Sequence, residues 1–348
     1  MWLMFELQYF IIGIVQGFTE YLPISSSGHL VLVSELTSWQ DQGLFTDVAV
    51  HAGTLLAVII YLRSHITALV KNFFSFQLSQ NDNFIKIIIA TIPAVIVGFF
   101  IFDFVQLYFR EIKVFAVTSV VFATLLFVAD HFKAKISSWD NMSYVQAFII
   151  GLFQILAFIP GASRAGVTIT GARFLGFDRS SAAIFSMLLS IPIILASLVL
   201  TTLDLISSTE ININLYQSLF AAIVACITAL VSINIMMRII QNSTFNIFII
   251  YRVLIGFILL YFIMHKISGV FSAALTPVKN DLSINKDLYL RHCQYLMRQG
   301  HDGLAIFGTT GEANSFSVQE KKDHLDFLVS NRIDPNILMP GTGSSSLN

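Results

Sequence analysis

The chain has 348 residues, of which 55% are hydrophobic and 12% charged, with a net charge of −1. A soluble domain carries about 25% charged residues, so this composition excludes an ordinary soluble protein and predicts an integral membrane one. A near-neutral chain without a long basic run also lacks the electrostatic footprint of a nucleic-acid binder.

The charge is unevenly spread: residues 268–348 hold 15 of the 41 Asp, Glu, Lys and Arg side chains. This divides the chain into a membrane part, 1–267, and a polar tail, 268–348. The two cysteines, Cys226 in an apolar run and Cys293 in the tail, have no metal-ligand spacing and predict no disulfide framework.

Residues 2–15 are apolar, carry no Lys or Arg, and lead into Gln16, Glu20 and Pro23 rather than a small-residue cleavage site. They are not a removable signal peptide. They are also shorter than the roughly 20 residues a membrane-spanning helix needs. Pro23, the serines and Gly28 break the helix before apolar residues resume at Leu30, which predicts a re-entrant hairpin. Such backbone is tolerated at membrane depth only where protein or a watery cavity covers it. Six apolar stretches follow, at about 48–62, 85–102, 114–129, 181–203, 215–237 and 246–264.

A second interruption, at 144–175, repeats the first. Gly13-x-x-Gln16 followed by Pro23-Ile24-Ser25-Ser26 matches Gly151-x-x-Gln154 followed by Pro160-Gly161-Ala162-Ser163, with one residue deleted before the proline. Cytoplasmic loops are enriched in Lys and Arg. Arg63, Lys71 and Lys86 lie in one connection, Lys133 and Lys135 in another, and Arg238 in a third, whereas 34–46 and 204–214 have none. Placing the basic connections inside makes the two hairpins enter from opposite faces. The fold expected is an all-α polytopic membrane protein with an inverted-topology repeat, two re-entrant hairpins and about six transmembrane helices. Arg110 and Lys113 run against this scheme.

Ionisable groups at membrane depth are costly and commonly face a working cavity. Gln16 and Glu20, four apart, share a helix face and could hold a cation or a phosphate-bound metal. Ser26 and His29, three apart beyond the turn, could act as nucleophile and base. The second break, Pro160 to Thr168, offers Gly161, Ser163, Arg164 and Thr168 in a turn suited to a phosphate. Arg173 and Arg179 read as interfacial or structural, and Asp47 and His51, at the start of a span, carry little weight as cavity residues.

These motifs resemble the undecaprenyl-diphosphate phosphatase, or bacitracin-resistance, family over residues 1–267. The resemblance rests on Gln16-x-x-x-Glu20, on Ser25 to His29, and on Pro160-Gly161-x-Ser163-Arg164 with Thr168. It implies hydrolysis of undecaprenyl diphosphate with a divalent cation (Mg2+ or Ca2+), on the periplasmic side of the bacterial inner membrane. That reaction recycles the lipid carrier for peptidoglycan synthesis and confers bacitracin resistance. Carried over by position, Glu20 and Gln16 would hold the metal or activate water, and Ser26 or His29 would attack or relay protons. Arg164, Ser163, Thr168 and Gly161, with Ser25 and Ser27, would bind the diphosphate; Arg252, inside the last apolar stretch, would either join them or pair structurally with a carboxylate. Gln16 stands where the family also uses Glu, and Ala165 replaces a usual Ser. A polyprenyl-phosphate transporter or flippase is the alternative, because inverted repeats with broken helices are common in transporters. The substrate's chain length and a monomer or homodimer state stay open.

The tail resembles the start of the dihydrodipicolinate synthase and N-acetylneuraminate lyase family, through Thr276-Pro277, Gly308-Thr309-Thr310-Gly311-Glu312 and Gly341-Thr342-Gly343. That family forms (β/α)8 barrels of about 250 residues. The 81-residue tail lacks the part holding the Schiff-base lysine and catalytic tyrosine. It is therefore expected to be a non-functional α/β barrel fragment with open strand edges.

Overall fold

In the computed structural model the described residues are 2–37, 39, 43–74, 83–108, 112–207, 215–264 and 269–343. Long apolar stretches must satisfy their backbone hydrogen bonds internally in lipid, so they become helices. These are α1 (Trp2–Thr19), α2 (Ser26–Leu36), α3 (Leu44–Tyr61), α4 (Arg63–Phe74), α5 (Asn83–Tyr108), α6 (Ile112–Asp130), α7 (Tyr144–Ile155), α8 (Arg164–Phe174), α9 (Arg179–Ser207), α10 (Leu215–Asn242) and α11 (Asn246–Met264). Five of them, α5, α6, α9, α10 and α11, are long and apolar enough to cross a membrane. A sixth span is counted if α3 and α4 are taken together, although they are bent by 79° at their junction. Each of the six apolar stretches read from the sequence falls on one of these. Phe99, Phe100, Tyr261 and Phe262 are exposed on the spanning helices, where a lipid surface rather than water suits them.

Close helix approaches position the two breaks. A Cβ on Gly13 would lie 2.7 Å from the Ala221 carbonyl oxygen, so this glycine lets α1 lie against α10. Gly151 does the same for α7 on α5, where a Cβ would come within 2.5 Å of the Ala90 carbonyl oxygen.

The three basic connections gather at one end of the helices. Lys86 is buried and donates to the Asp140 carbonyl at 2.6 Å and to the Asn83 side chain at 2.9 Å. Asp130, at the end of α6, accepts from Arg173 Nε at 3.2 Å, from Arg179 Nε at 2.7 Å and from the Phe245 backbone N–H at 3.2 Å. Arg173 and Arg179 are therefore structural, joining α6, α8, α9 and the turn before α11. Arg110 and residues 208–214, part of the charge argument, lie outside the described residues.

The chain divides into two compact units, Met1–Met264 and His265–Asn348. The second holds three parallel strands, β1 (Phe271–Ala273), β2 (Gly303–Ile306) and β3 (Leu338–Pro340), in the order β1-β2-β3, with α12 (Lys286–Arg298) and α13 (Val318–Ser330). Phe271 pairs with Gly303 and Leu304 with Leu338. Despite its open edges the unit has a core of its own, including Tyr289, Cys293, Leu304, Phe307 and Leu328. Ser317 and Glu320 form a capping box that starts α13.

Candidate active site

Both chain breaks end in a serine at the N-cap position of the next helix, and of the two only Ser163 makes a side-chain cap bond. Ser25, before α2, has φ 75°, and Ser163, before α8, has φ 70°. A non-glycine residue there costs on the order of 1–3 kcal/mol and persists only where its surroundings hold it. Ser163 is held by its side chain, which accepts from the Gly166 N–H at 3.1 Å. The caps also correct the sequence match between the breaks. Gln16 and Gln154 each precede their N-cap serine by nine residues, so the halves align without a deletion and Ser25, not Ser26, corresponds to Ser163. Aligning the prolines misplaced the gap.

Glu20 is the centre of the site. Its Oε1 accepts from Arg164 Nη2 at 2.9 Å, and its Oε2 accepts from the Ser26 hydroxyl at 2.7 Å and from Gln16 Nε2 at 2.9 Å. Arg164 is held further by the Ser186 carbonyl at 3.1 Å and by the Tyr21 ring, 5.5 Å from its guanidinium carbon. Tyr21 is buried and donates to the Thr54 carbonyl at 2.8 Å. The two breaks thus meet through a carboxylate–guanidinium pair that leaves the Ser26 hydroxyl on a base. A cavity of about 210 Å³ adjoins them, lined among others by Glu20, Ser25, Ser26, Ser27, Ser163 and Arg164.

Four expected site residues stand elsewhere. His29 has both ring nitrogens engaged, Nδ1 with the Ser25 carbonyl and Nε2 with the Tyr251 hydroxyl, each at 2.6 Å, and it does not line the cavity. Thr168 pairs with the Ser186 hydroxyl at 2.7 Å beneath the site. Gly161 contributes its carbonyl to Arg252. Arg252 itself is fully buried and ties the two turns together, donating to the carbonyls of Pro23 at 3.2 Å, Gly161 at 2.7 Å and Ala162 at 3.2 Å. Its terminal nitrogens are occupied by backbone, which sets it apart from the expected diphosphate contact.

Two cavity residues carried little or no weight in the sequence reading. His51, from α3, lines the cavity with Nε2 4.0 Å from Glu20 Oε2. Gln154 lines it from α7, and its repeat match to Gln16 was the signal available.

For a divalent cation the donor set is of the hard, oxygen type. Among the described residues no cluster of three His, Cys, Asp or Glu side chains could hold a metal. The Glu20 carboxylate lines the cavity, and the Gln16 amide oxygen, off the cavity lining but on the residue bonded to Glu20, is buried with no hydrogen-bond partner; both are oxygen donors of the type suited to an ion that keeps water and substrate phosphates in its shell.

Apolar spanning helices around a polar cavity with carboxylate, hydroxyl and guanidinium groups define a polytopic membrane protein with a buried polar site. Residues 9–258 match the family model described as bacitracin resistance protein BacA. The chain belongs to that family. Among its relatives, the undecaprenyl-diphosphatase of Alcanivorax borkumensis is 41% identical over 261 residues, covering 74% of this chain and 98% of that protein. The undecaprenyl-diphosphatase of Alteromonas mediterranea is 43% identical over 258 residues, covering 73% and 97%. Undecaprenyl-diphosphatase 1 of Pseudoalteromonas translucida is 40% identical over the same length and shares. Residues 266–348 match the dihydrodipicolinate synthetase family model.

Proposed function

We propose that the chain hydrolyses undecaprenyl diphosphate to undecaprenyl phosphate and inorganic phosphate, at the periplasmic face of the bacterial inner membrane. One observation carries this reading: Glu20 binds the Ser26 hydroxyl and the Arg164 guanidinium together at the edge of one cavity. In the proposed reaction Ser26 Oγ attacks the terminal phosphorus while its proton passes to Glu20 Oε2. The bond from that phosphorus to the bridging oxygen breaks, and the lipid monophosphate leaves with the electron pair. Protonation of Glu20 loosens its claim on Arg164, whose charge is then free for the phosphate oxygens. Water then attacks the phosphorus of the phosphoserine, the P–Oγ bond breaks, Oγ takes back the proton held by Glu20, and the phosphate leaves with the water's oxygen and protons, which restores both the hydroxyl and the carboxylate. His51, near Glu20, is the group that would pass protons onward. Ser26 is favoured over His29 because its hydroxyl already sits on a carboxylate, whereas both His29 nitrogens are bonded elsewhere.

A divalent cation, when bound, would screen the diphosphate charge, and Glu20 and Gln16 are the residues that would hold it. The proposed architecture is an inverted-topology repeat with two re-entrant hairpins, α1–α2 and α7–α8. Support comes from the short apolar helices α1 and α7, the serines with positive φ at the matching N-cap positions, and the exchange of partners in which α1 packs on α10 and α7 on α5. The gathered basic connections support a cytoplasmic end, which would leave the cavity to the opposite side. Residues 268–348 are proposed to take no part in the reaction.

Phosphate release from undecaprenyl diphosphate by the purified protein in detergent, with Mg2+ and with EDTA, tests this reading. Mg2+-dependent release supports it. Binding of the lipid without release would favour the flippase alternative.

A further inference from the structure

Gln154 is 1% exposed, lines the cavity with Glu20, Ser26 and Arg164, and has no hydrogen-bond partner for its amide oxygen. Leaving a buried acceptor unmade costs about 1–3 kcal/mol, so a native orphan of this kind calls for an explanation. A simple amide flip does not supply one. The Nε2 group faces the Ala90 carbonyl at 3.4 Å, and turning the oxygen there would set two acceptors against each other. Gly151 allows this arrangement, because it brings α7 onto α5 at Ala90. The Gly-x-x-Gln spacing therefore presses one amide edge onto a neighbouring helix and leaves the oxygen free.

Gln16 shows the same imbalance in the first half. Its Nε2 is bound to Glu20 and its Oε1 is buried without a partner. Each glutamine stands nine residues before the N-cap serine of its own break. Two orphaned amide oxygens, one from each break, thus accompany Glu20, the only carboxylate among the described residues that line the cavity: Gln154 lines it as well, and Gln16 is joined to the site through its Nε2 bond to Glu20. Amide and carboxylate oxygens are the ligand class of a hard divalent cation, whereas an ionised phosphate offers an amide oxygen nothing to accept.

We propose that Gln154 is a further cation ligand of this site, its amide oxygen completing from the second half the set begun by Glu20 and Gln16. The inference rests on the proposed cation-dependent hydrolysis and adds the residue through which the second half of the chain would grip the ion. Because Gln154 is neutral, it would hold the ion without adding to the negative charge that a diphosphate must approach.

The test is Mn2+ binding followed by electron paramagnetic resonance on the purified full chain in detergent, without substrate. Thermal melting is recorded for each variant. Gln154→Leu should weaken Mn2+ binding about tenfold or more, and Gln154→Glu should tighten it by adding an anionic ligand. Unchanged Mn2+ affinity in a Gln154→Leu protein that melts like the parent overturns the inference. If that variant does not fold, Gln154→Glu decides alone, and affinity no tighter than the parent's overturns it. Glu20→Gln separates the two levels. Loss of Mn2+ in Glu20→Gln but not in Gln154→Leu removes only the role of Gln154. Absence of Mn2+ binding in the unaltered protein, or full binding in Glu20→Gln, removes the cation reading of the site itself.

Discussion

At the scale of single residues, what a polar side chain does in this protein depends on whether its donors are already taken. Arg252 and Arg164 are both guanidinium groups among apolar helices, and in the sequence both could face a diphosphate. In the structure Arg252 spends its terminal nitrogens on carbonyls of both turns, while Arg164 bridges to Glu20 at the cavity. A lysine cannot reproduce a fork that spans two turns. Arg252→Lys is therefore expected to lower the melting temperature by several degrees and phosphate release by about tenfold, because the breaks lose their common anchor. Melting and release measured on the same preparation check this, and parent-like values in both would show that the clamp is dispensable. Composition and spacing made Glu20, Ser26 and Arg164 legible as a group. They could not reveal that His29 turns to Tyr251, or that His51 from a distant helix comes within 4.0 Å of Glu20, since both depend on helix rotation in the assembled bundle.

At the scale of elements, the helices and their breaks were readable because lipid enforces them: a backbone without water must pair with itself. The register between the two breaks was not, since prolines are visible in a sequence and capping geometry is not. The junction of α6, α8, α9 and α11 shows how far elements depend on one another. Asp130 accepts from Arg173 and Arg179 as well as from the Phe245 N–H. Asp130→Asn would leave two guanidinium groups without their carboxylate, one of them buried, at a cost of about 3–5 kcal/mol. A fall in the unfolding midpoint in detergent should report it, and an unchanged midpoint would mean that backbone carbonyls suffice. In α12, burial pushes the Cys293 thiol up to about 11, so it stays protonated at pH 8. Iodoacetamide at pH 8 should label it at least about 100-fold faster after denaturation than before, measured in a Cys226→Ala background. Equal rates would show that the core of this unit is open.

At the scale of the whole molecule, two units of different chemistry share one chain. The division was legible as a step in charge density near residue 267, and the contacts divide at Met264 and His265. The β1-β2-β3 sheet was legible only through resemblance, since its three-residue and four-residue strands are too short to announce themselves by periodicity. Every cavity residue belongs to the first unit. Removing 268–348 should therefore leave phosphate release per folded molecule within about twofold of the full chain. A large loss would assign the second unit a part in catalysis.

The central claim is that Glu20, Ser26 and Arg164 act as one site formed where the two breaks meet. Phosphate release from undecaprenyl diphosphate, measured with Mg2+ for the parent and for Glu20→Gln, Ser26→Ala and Arg164→Met, tests it most directly. Each variant is expected to lose about 100-fold or more in turnover, and the Glu20→Gln, Ser26→Ala double variant should fall little below the worse single one, because residues acting as a unit are not additive. Release near the parent's rate in any of the three, in protein that melts like the parent, would contradict the account.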